Sequence, residues 1–257
     1  MTNACVYEIG GRLMTVRASI AAALVADPPS DDAQLVLSYK GLRKAIGILG
    51  VLLPCVLLVS LIWVNDHKLP GSISAFYYTP MRSYFVGTLC ALGVFLFSYR
   101  YAPRDNWLSS LAAALVVFVA LCPTAEHDQP RTLWNNLHLM AAGLFFVILG
   151  FMSYALFTKK PRQKIDWGLH AWPTATPEDR RDVIYRTCGL LIVGALIAAL
   201  INGATKAHYL FWCEAVAVWA FSFSWLVKGD LFPFLRDPGP PPESSRPGAA
   251  AASVDAA

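Results

Sequence analysis

Six apolar segments dominate this sequence, and each is long enough to cross the ~30 Å hydrocarbon core of a bilayer as an α-helix. They lie at residues 45–64, 80–99, 107–123, 134–157, 185–204 and 207–227. Charged residues make up only 15% of the chain, whereas about a quarter is usual in soluble domains. Because lipid offers no hydrogen-bond partner to an exposed backbone, the pattern predicts an all-α, polytopic membrane protein with six transmembrane helices.

The basic residues are distributed unequally over the two sides that six spans would define. All but four of the 21 lysines and arginines fall on the side that holds both chain ends. The four exceptions are Lys68, Arg82, Arg131 and Lys206. Since cytoplasmic loops carry the excess of lysine and arginine, we expect both termini to be cytoplasmic. The formal charge of +4 is then a topology signal, and nucleic acid is not an expected partner.

Composition divides the chain into three expected regions. Residues 1–40 contain a basic start and a short apolar stretch, which is the outline of a secretory signal. A second basic cluster at 38–44 precedes the first span, so we favour an N-terminal extension that is partly disordered or interfacial. Residues 41–230 form the six-helix transmembrane domain. Residues 231–257 are rich in proline and alanine without apolar periodicity, and we expect a disordered tail.

Local signals mark where helices begin and where they approach one another. Thr79 and Pro80 predict that the second helix begins directly after the loop, with a hydroxyl at the cap and proline in the first turn. The same signal recurs at Thr176 and Pro177, followed by two acidic residues near the positive end of the helix dipole. Small residues predict close helix packing in the second, fourth and fifth spans. The glycines among them are Gly87, Gly143, Gly189 and Gly194.

Two ionisable residues lie deeper in the apolar segments than a loop would place them. His138 is seven residues past Arg131, and Glu214 is eight past Lys206. At about 1.5 Å per helical residue, both lie ~10 to 12 Å below the outer charged boundary and share a depth. An ionisable group at that depth is costly unless it faces water or a partner. Glu214 and His138 are therefore the leading site candidates, and each is the expected partner of the other.

Polar residues around these two predict an outward-facing pocket. The stretch GSISAFYYTPMR at 71–82 is expected to form its rim, with the rings at headgroup level and the hydroxyls turned inward. Asn135 lies about one turn from His138 on the same helix face, and Asn202 could close the ring. Asp66 and Ser72 are further expected lining residues. The predicted ligand-binding residues are Glu214, His138, Ser74, Tyr77, Tyr78, His127, Asp128 and Asn135.

Three functional classes fit such a pocket, and the sequence leaves them open. A small polar ligand or a lipid headgroup could bind there, with Glu214 as a proton site in a transporter-like role. The same groups could act as acid, base or metal ligands in a membrane-embedded, lipid-modifying hydrolase. A sensor or assembly subunit would use them only as a polar knot between helices. Whether the chain is an enzyme stays open.

Short catalytic motifs are absent from the sequence. It contains neither HExxH nor GxSxG. His127, His138, Asp128 and Glu214 are acceptable zinc ligands, but they would have to come together from separate helices. We therefore predict no cofactor, with zinc as the alternative that these ligand types allow.

Five segments of the sequence carry a resemblance to known proteins. The most specific is SISAFYYTPMR, and the others are SYKGLRKAIGILGVLLP, ALCPTAEHD, LHLMAAGLFFVILGFMSYALFTK and FWCEAVAVWAFSFSWLVKGD. Together they resemble an uncharacterised family of bacterial six-span integral membrane proteins over residues 38–230. The resemblance implies six helices in the bacterial cytoplasmic (inner) membrane, with the lipid bilayer as partner, and implies no activity. In topology alone, the chain is also similar to damage-regulated autophagy modulator-like six-span proteins. The family-pattern positions are Ser72, Ser74, Tyr77, Tyr78, His138 and Glu214.

Overall fold

The computed structural model describes residues 31–63, 69–99, 103–124, 132–158, 176–205 and 208–236. Within these ranges the chain is helical apart from turns and short connections, and no strand occurs there. The predicted all-α class is therefore confirmed for the described residues. The chain divides into two compact units, Met1–Ser38 and Tyr39–Ala257. The contacts described below all lie in the second unit.

The described ranges contain six α-helices, which together include most of each predicted apolar segment. They are α1 (Asp31–Trp63), α2 (Arg82–Ser98), α3 (Pro103–Leu121), α4 (Leu133–Phe151), α5 (Pro177–Thr205) and α6 (Leu210–Lys228). A 3₁₀ turn at Ser74–Tyr78 precedes α2, and a second at Pro233–Leu235 follows α6. A π-helical turn at Met152–Leu156 continues α4.

Helix length separates four of these helices from the other two. Tyr39–Trp63, Leu133–Leu156, Pro177–Thr205 and Leu210–Lys228 are long and apolar enough to cross a membrane. The apolar helices at Arg82–Ser98 and Asn106–Leu121 are shorter. The 17 residues of α2 extend about 26 Å at 1.5 Å per residue, which is less than the ~30 Å hydrocarbon core. The described chain thus has the helices of a multi-pass membrane protein, with four candidate spans and two shorter apolar helices.

The two predicted helix starts have different outcomes. The start at Thr176 is confirmed, because the Asp179 N–H donates to Thr176 Oγ1 (3.2 Å) and that hydroxyl donates to the Asp179 carboxylate (2.6 Å). The start at Thr79 is wrong by two residues, since α2 begins at Arg82. Thr79 instead closes a turn, in which its carbonyl accepts from the Arg82 N–H (3.0 Å) and its Oγ1 accepts from the Met81 N–H (3.2 Å).

The tail begins later than its composition predicts. Residues 231–236, which we expected to be disordered, include the second 3₁₀ turn, and Leu235 within it is buried. The Leu235 carbonyl accepts a hydrogen bond from the buried Arg181 guanidinium on α5 (2.7 Å). A bond between a backbone carbonyl and an arginine far away in the sequence has no signature in local composition. The rest of the tail, and the extension before Asp31, lie outside the described residues.

Helix α6 is the most buried of the four candidate spans, with 61% of its apolar window buried. It packs along α5 and also contacts α4, while α2 packs along α3 and α3 along α4. Helix α1 approaches α6 at Gly47, where a Cβ would lie 2.6 Å from the Leu226 side chain and 2.9 Å from the Ser222 carbonyl oxygen. A second glycine of α1, Gly50, faces the Ser222 side chain in the same way. The absence of side chains at these two positions lets the helix backbones come close together.

The predicted packing glycines divide into two groups. Gly189 is in a tight contact, since a Cβ there would lie 2.7 Å from Tyr154 Cβ. At Gly87, Gly143 and Gly194, no atom of the described residues lies within 4 Å of an added Cβ, apart from the backbone of the same helix and the two chain neighbours. Close packing is therefore confirmed at one of the four positions.

Candidate functional site

The stretch that precedes α2 folds over one end of the bundle. Residues 71–79, called here the 71–79 segment, contain the 3₁₀ turn at Ser74–Tyr78. Phe76 N–H donates to the Ile73 carbonyl (3.2 Å), and both of these apolar side chains are buried. The Phe76 ring lies 6.1 Å from the ring of Phe211 at the start of α6. Apolar side chains thus hold this polar-looking stretch against the helices.

Two hydrogen bonds attach the 71–79 segment to α6. The Phe211 N–H donates to the Gly71 carbonyl (3.1 Å). The Ile73 N–H donates to Glu214 Oε2 (2.5 Å). The second bond satisfies a backbone donor at the start of a 3₁₀ turn, where no earlier turn of helix offers an acceptor. Because a carboxylate forms stronger hydrogen bonds than a neutral acceptor, Glu214 is the strongest polar attachment of this segment.

His138 is fixed by a different backbone group. Its side chain is buried, and its Nδ1 is hydrogen-bonded to the Cys122 carbonyl, directly after the end of α3. A carbonyl can only accept, so this bond places a proton on Nδ1. In the neutral ring Nε2 is then the acceptor. The last carbonyls of a helix have no partner within it, which explains why Cys122 is available to the histidine.

Glu214, His138 and Ser74 line one cavity of about 60 Å³. Its other walls are apolar side chains from α1, α2, α3, α4 and α6, among them Leu53, Phe85 and Val116. Glu214 and His138, which the sequence predicts to be neighbours, thus line the same cavity. Among the described residues, however, no hydrogen bond or ion pair joins the two side chains, since each is bonded to a backbone group.

The two tyrosines of the 71–79 segment do not line this cavity. The Tyr78 hydroxyl donates to the Thr124 carbonyl (2.6 Å) beyond the end of α3. The Tyr77 hydroxyl accepts from Arg82, whose guanidinium carbon lies 4.1 Å from the Tyr77 ring centroid. Their expected inward-facing hydroxyls are therefore directed at neighbouring surface groups instead, because those groups supply partners outside the apolar cavity.

The remaining predicted residues have other positions. Asn135 is buried one turn before His138, and its N–H donates to the capping hydroxyl of Thr132 (3.3 Å), but it does not line the cavity. Asn202 does not close a ring, since its Oδ1 accepts from the Tyr209 N–H at the α5–α6 connection (3.0 Å). The Ser72 hydroxyl is hydrogen-bonded to Ser74 (3.1 Å). Three predicted residues lie outside the described ranges: Asp66, His127 and Asp128.

The sequence prediction did not include the apolar walls or the backbone partners of this site. Residues such as Leu53 and Val116 have no chemical signature that separates a cavity wall from ordinary core. The carbonyl of Cys122 and the amide of Ile73 belong to the backbone, which every residue carries. The one available signal was position, because both groups lie at helix or turn ends, where backbone groups lack partners.

One chemical capacity follows from this arrangement. The Glu214 carboxylate can take up a proton, and proton uptake would weaken its bond to Ile73. Within the described part of the chain, no group of three or more His, Cys, Asp or Glu side chains could hold a metal ion.

No family model, curated protein or solved structure matches the chain.

Proposed function

We propose that this chain is a multi-pass protein of the bacterial cytoplasmic membrane, with both termini cytoplasmic. We further propose that it binds a small polar ligand or a lipid headgroup at an outward-facing site around Glu214 and His138, with proton uptake by Glu214 controlling access. The observation that carries the proposal is that Glu214, His138 and Ser74, from three separate parts of the chain, line one cavity.

The size of the cavity indicates a closed state. At about 60 Å³ it has room for roughly two water molecules, at about 30 Å³ each in the liquid. Sites for larger ligands are usually about 300 Å³ or more. A headgroup could therefore bind only after the 71–79 segment has moved away from α6.

Glu214 supplies a way to control that movement. Its carboxylate accepts the hydrogen bond from the Ile73 N–H and so holds the segment in place. Protonation removes the negative charge, and a neutral acceptor makes a weaker bond than a charged one. Proton uptake would thus loosen the segment and open the cavity, which couples ligand access to pH.

Hydrogen exchange of the 71–79 segment tests this coupling. We expect its amides to exchange about fivefold to tenfold faster in Glu214→Gln than in the wild type at pH 8, because the neutral side chain is the weaker acceptor. Lowering the pH to 5.5 should speed exchange in the wild type, relative to the intrinsic chemical rate, and should have no such effect in the variant. Mass spectrometry of peptides covering 71–79, from full-length protein in detergent, provides the measurement.

A matched control is Glu178→Gln, which makes the same change at the start of α5, away from the 71–79 segment. It should leave exchange of that segment at the wild-type rate. Equal exchange in the wild type and Glu214→Gln at both pH values would contradict the proposal and leave Glu214 as a structural polar group.

Proton movement separates a transporter from a pH-controlled binding protein. The wild type and Glu214→Gln are reconstituted into vesicles that contain a pH-sensitive dye, and a potassium diffusion potential drives protons inward. Acidification by the wild type alone would support proton-coupled transport. If neither protein acidifies the vesicles while exchange still responds to Glu214, the site controls binding without transport.

A further inference from the structure

A second and larger cavity lies among the basic residues at the ends of the helices. We call it the basic-end cavity, and it has a volume of about 390 Å³. Its walls are residues of α1, α5 and α6, the chain that follows α6, and Phe157 after the π-helical turn. Unlike the cavity at Glu214, it lies in the range of volumes usual for small-ligand sites, about 300 to 1,000 Å³. Its cationic lining residues are Lys40, Arg43, Arg181, Lys228 and Arg236.

The lining carries an excess of positive charge. Three carboxylates, Glu178, Asp182 and Asp230, also line the cavity. Five cations against three anions leave a net charge of +2, whichever of these groups pair with each other. One such pair joins Lys40 to Asp230 (2.8 Å). The excess favours an anionic occupant.

Bonds to neutral groups hold several of the cations in place. The Arg43 guanidinium donates to the Lys228 carbonyl (3.3 Å) and to the Tyr99 hydroxyl (3.4 Å). The Lys228 ammonium donates to the Phe157 carbonyl (3.3 Å) and lies 5.1 Å from the Phe157 ring centroid. Such contacts fix the orientation of these cations, as the side chains of a preorganised site require.

The cavity has a buried floor and an accessible rim. Arg43 and Arg181 are buried, whereas the Lys40 side chain is 40% exposed and Arg236 is exposed. Arginine and lysine together are the usual partners of phosphate groups, because the guanidinium fork matches two phosphate oxygens and the ammonium adds a compact charge. Basic pockets between the ends of membrane helices lie at the depth of lipid headgroups.

From this geometry we propose that the basic-end cavity binds a phosphate-bearing anion, supplied either by the headgroup of an anionic lipid or by a free phosphate compound. This site is separate from the one at Glu214, and either proposal can fail without the other.

Titration of the purified full-length protein in detergent tests the site. The three titrants are inorganic phosphate, phosphatidylglycerol with short acyl chains, and phosphatidylcholine with the same chains as the uncharged control. We expect saturable stabilisation against thermal unfolding by phosphate or phosphatidylglycerol. Lys40→Gln and Arg236→Gln should each raise the half-saturating concentration about threefold to tenfold, since each removes one charged contact at the rim.

Lys44→Gln is the matched control, because Lys44 is one helical turn from Lys40 on α1 and does not line the cavity. It should leave the half-saturating concentration unchanged. Saturation by inorganic phosphate would identify a free phosphate compound as a sufficient ligand, and a response to phosphatidylglycerol alone would identify the lipid.

Two results would overturn the proposal. One is that neither phosphate nor phosphatidylglycerol stabilises the protein more than phosphatidylcholine does. The other is that Lys44→Gln weakens binding as much as Lys40→Gln, because the effect would then come from the general charge of this end. Lys40 and Arg236 are both at the accessible rim, so neither variant removes a buried core contact.

Discussion

Trp225→Ala is expected to lower the free energy of unfolding by about 3 to 5 kcal/mol, as large aromatic truncations in packed cores do. The Trp225 side chain is fully buried on α6, at the contact with three other aromatic rings. Its ring centroid lies 4.9 Å from Tyr99, 5.3 Å from Phe157 and 5.8 Å from Phe221, and all three pairs are edge-on. Truncation would remove these contacts and leave a cavity between α6 and its neighbours.

The chemistry of the Trp225 indole predicts which substitution keeps most of the stability that Trp225→Ala loses. Within the described residues the Trp225 Nε1–H has no hydrogen-bond acceptor, which is itself unfavourable for a buried donor. Trp225→Phe keeps an aromatic ring and removes this donor, so it should recover most of the stability lost in Trp225→Ala. Unfolding of each variant in mixed detergent, followed by far-ultraviolet circular dichroism, measures the difference.

The matched control for this prediction is Trp212→Ala on the same helix. Trp212 is 46% exposed, so its truncation leaves no enclosed cavity and should change the free energy of unfolding by less than about 1 kcal/mol. Equal losses at the two positions would mean that the aromatic cluster does not act as a packed core.

Gly47→Ala is expected to destabilise the protein by about 1 to 3 kcal/mol through overpacking. A Cβ at this position would lie 2.9 Å from the Ser222 carbonyl oxygen, which belongs to the α6 backbone and cannot rotate away. The Leu226 side chain, at 2.6 Å, can shift, but the carbonyl contact remains unless α1 and α6 move apart. Separation of these helices would weaken packing along their whole contact.

The same substitution at Gly143 provides the control. Apart from its own helix backbone and chain neighbours, no atom of the described residues lies within 4 Å of a Cβ added there. Only the intrinsic helix preference then changes, and alanine is preferred over glycine by about 1 kcal/mol. Gly143→Ala should therefore be neutral or stabilising under the conditions in which Gly47→Ala unfolds more readily. A destabilised Gly143→Ala, or an unaffected Gly47→Ala, would contradict the packing described between α1 and α6.

These two glycines show which part of helix packing could be predicted from the sequence. Small residues are required where helix backbones come close together, but they are also tolerated on helix faces without such a contact. Gly87 and Gly143 are of the second kind, and Gly47 is of the first. The sequence alone does not say which face of a helix is covered, because α1 is apolar around most of its circumference.

The sequence predicted which two ionisable residues come together at the candidate site, but not the groups to which they bond. The regular rise of a helix was enough to predict that Glu214 and His138 lie near each other, and both line one cavity. Their hydrogen bonds to Ile73 and Cys122 depend on how the 71–79 segment and the end of α3 fold back, which is tertiary information.

The sequence did not predict the basic-end cavity, for a different reason. Counting lysine and arginine as orientation signals treats every basic residue as exposed to water. Arg43 and Arg181 are buried and hydrogen-bonded to the Lys228 and Leu235 carbonyls, so they also have structural roles. A count of basic residues carries no information about burial, so a buried guanidinium cannot be distinguished from a solvated one in the sequence.

The unequal lengths of the helices have a consequence for the surrounding bilayer if all six cross it. Helix α2 has 17 residues and α5 has 29, which correspond to about 26 Å and 44 Å. If α2 and α3 cross the bilayer, the lipids beside them would have to thin to match their shorter apolar length. Since α2 and α3 also wall the cavity at Glu214, headgroups and water would be drawn inward on that flank, and a proton would cross less hydrocarbon to reach the carboxylate.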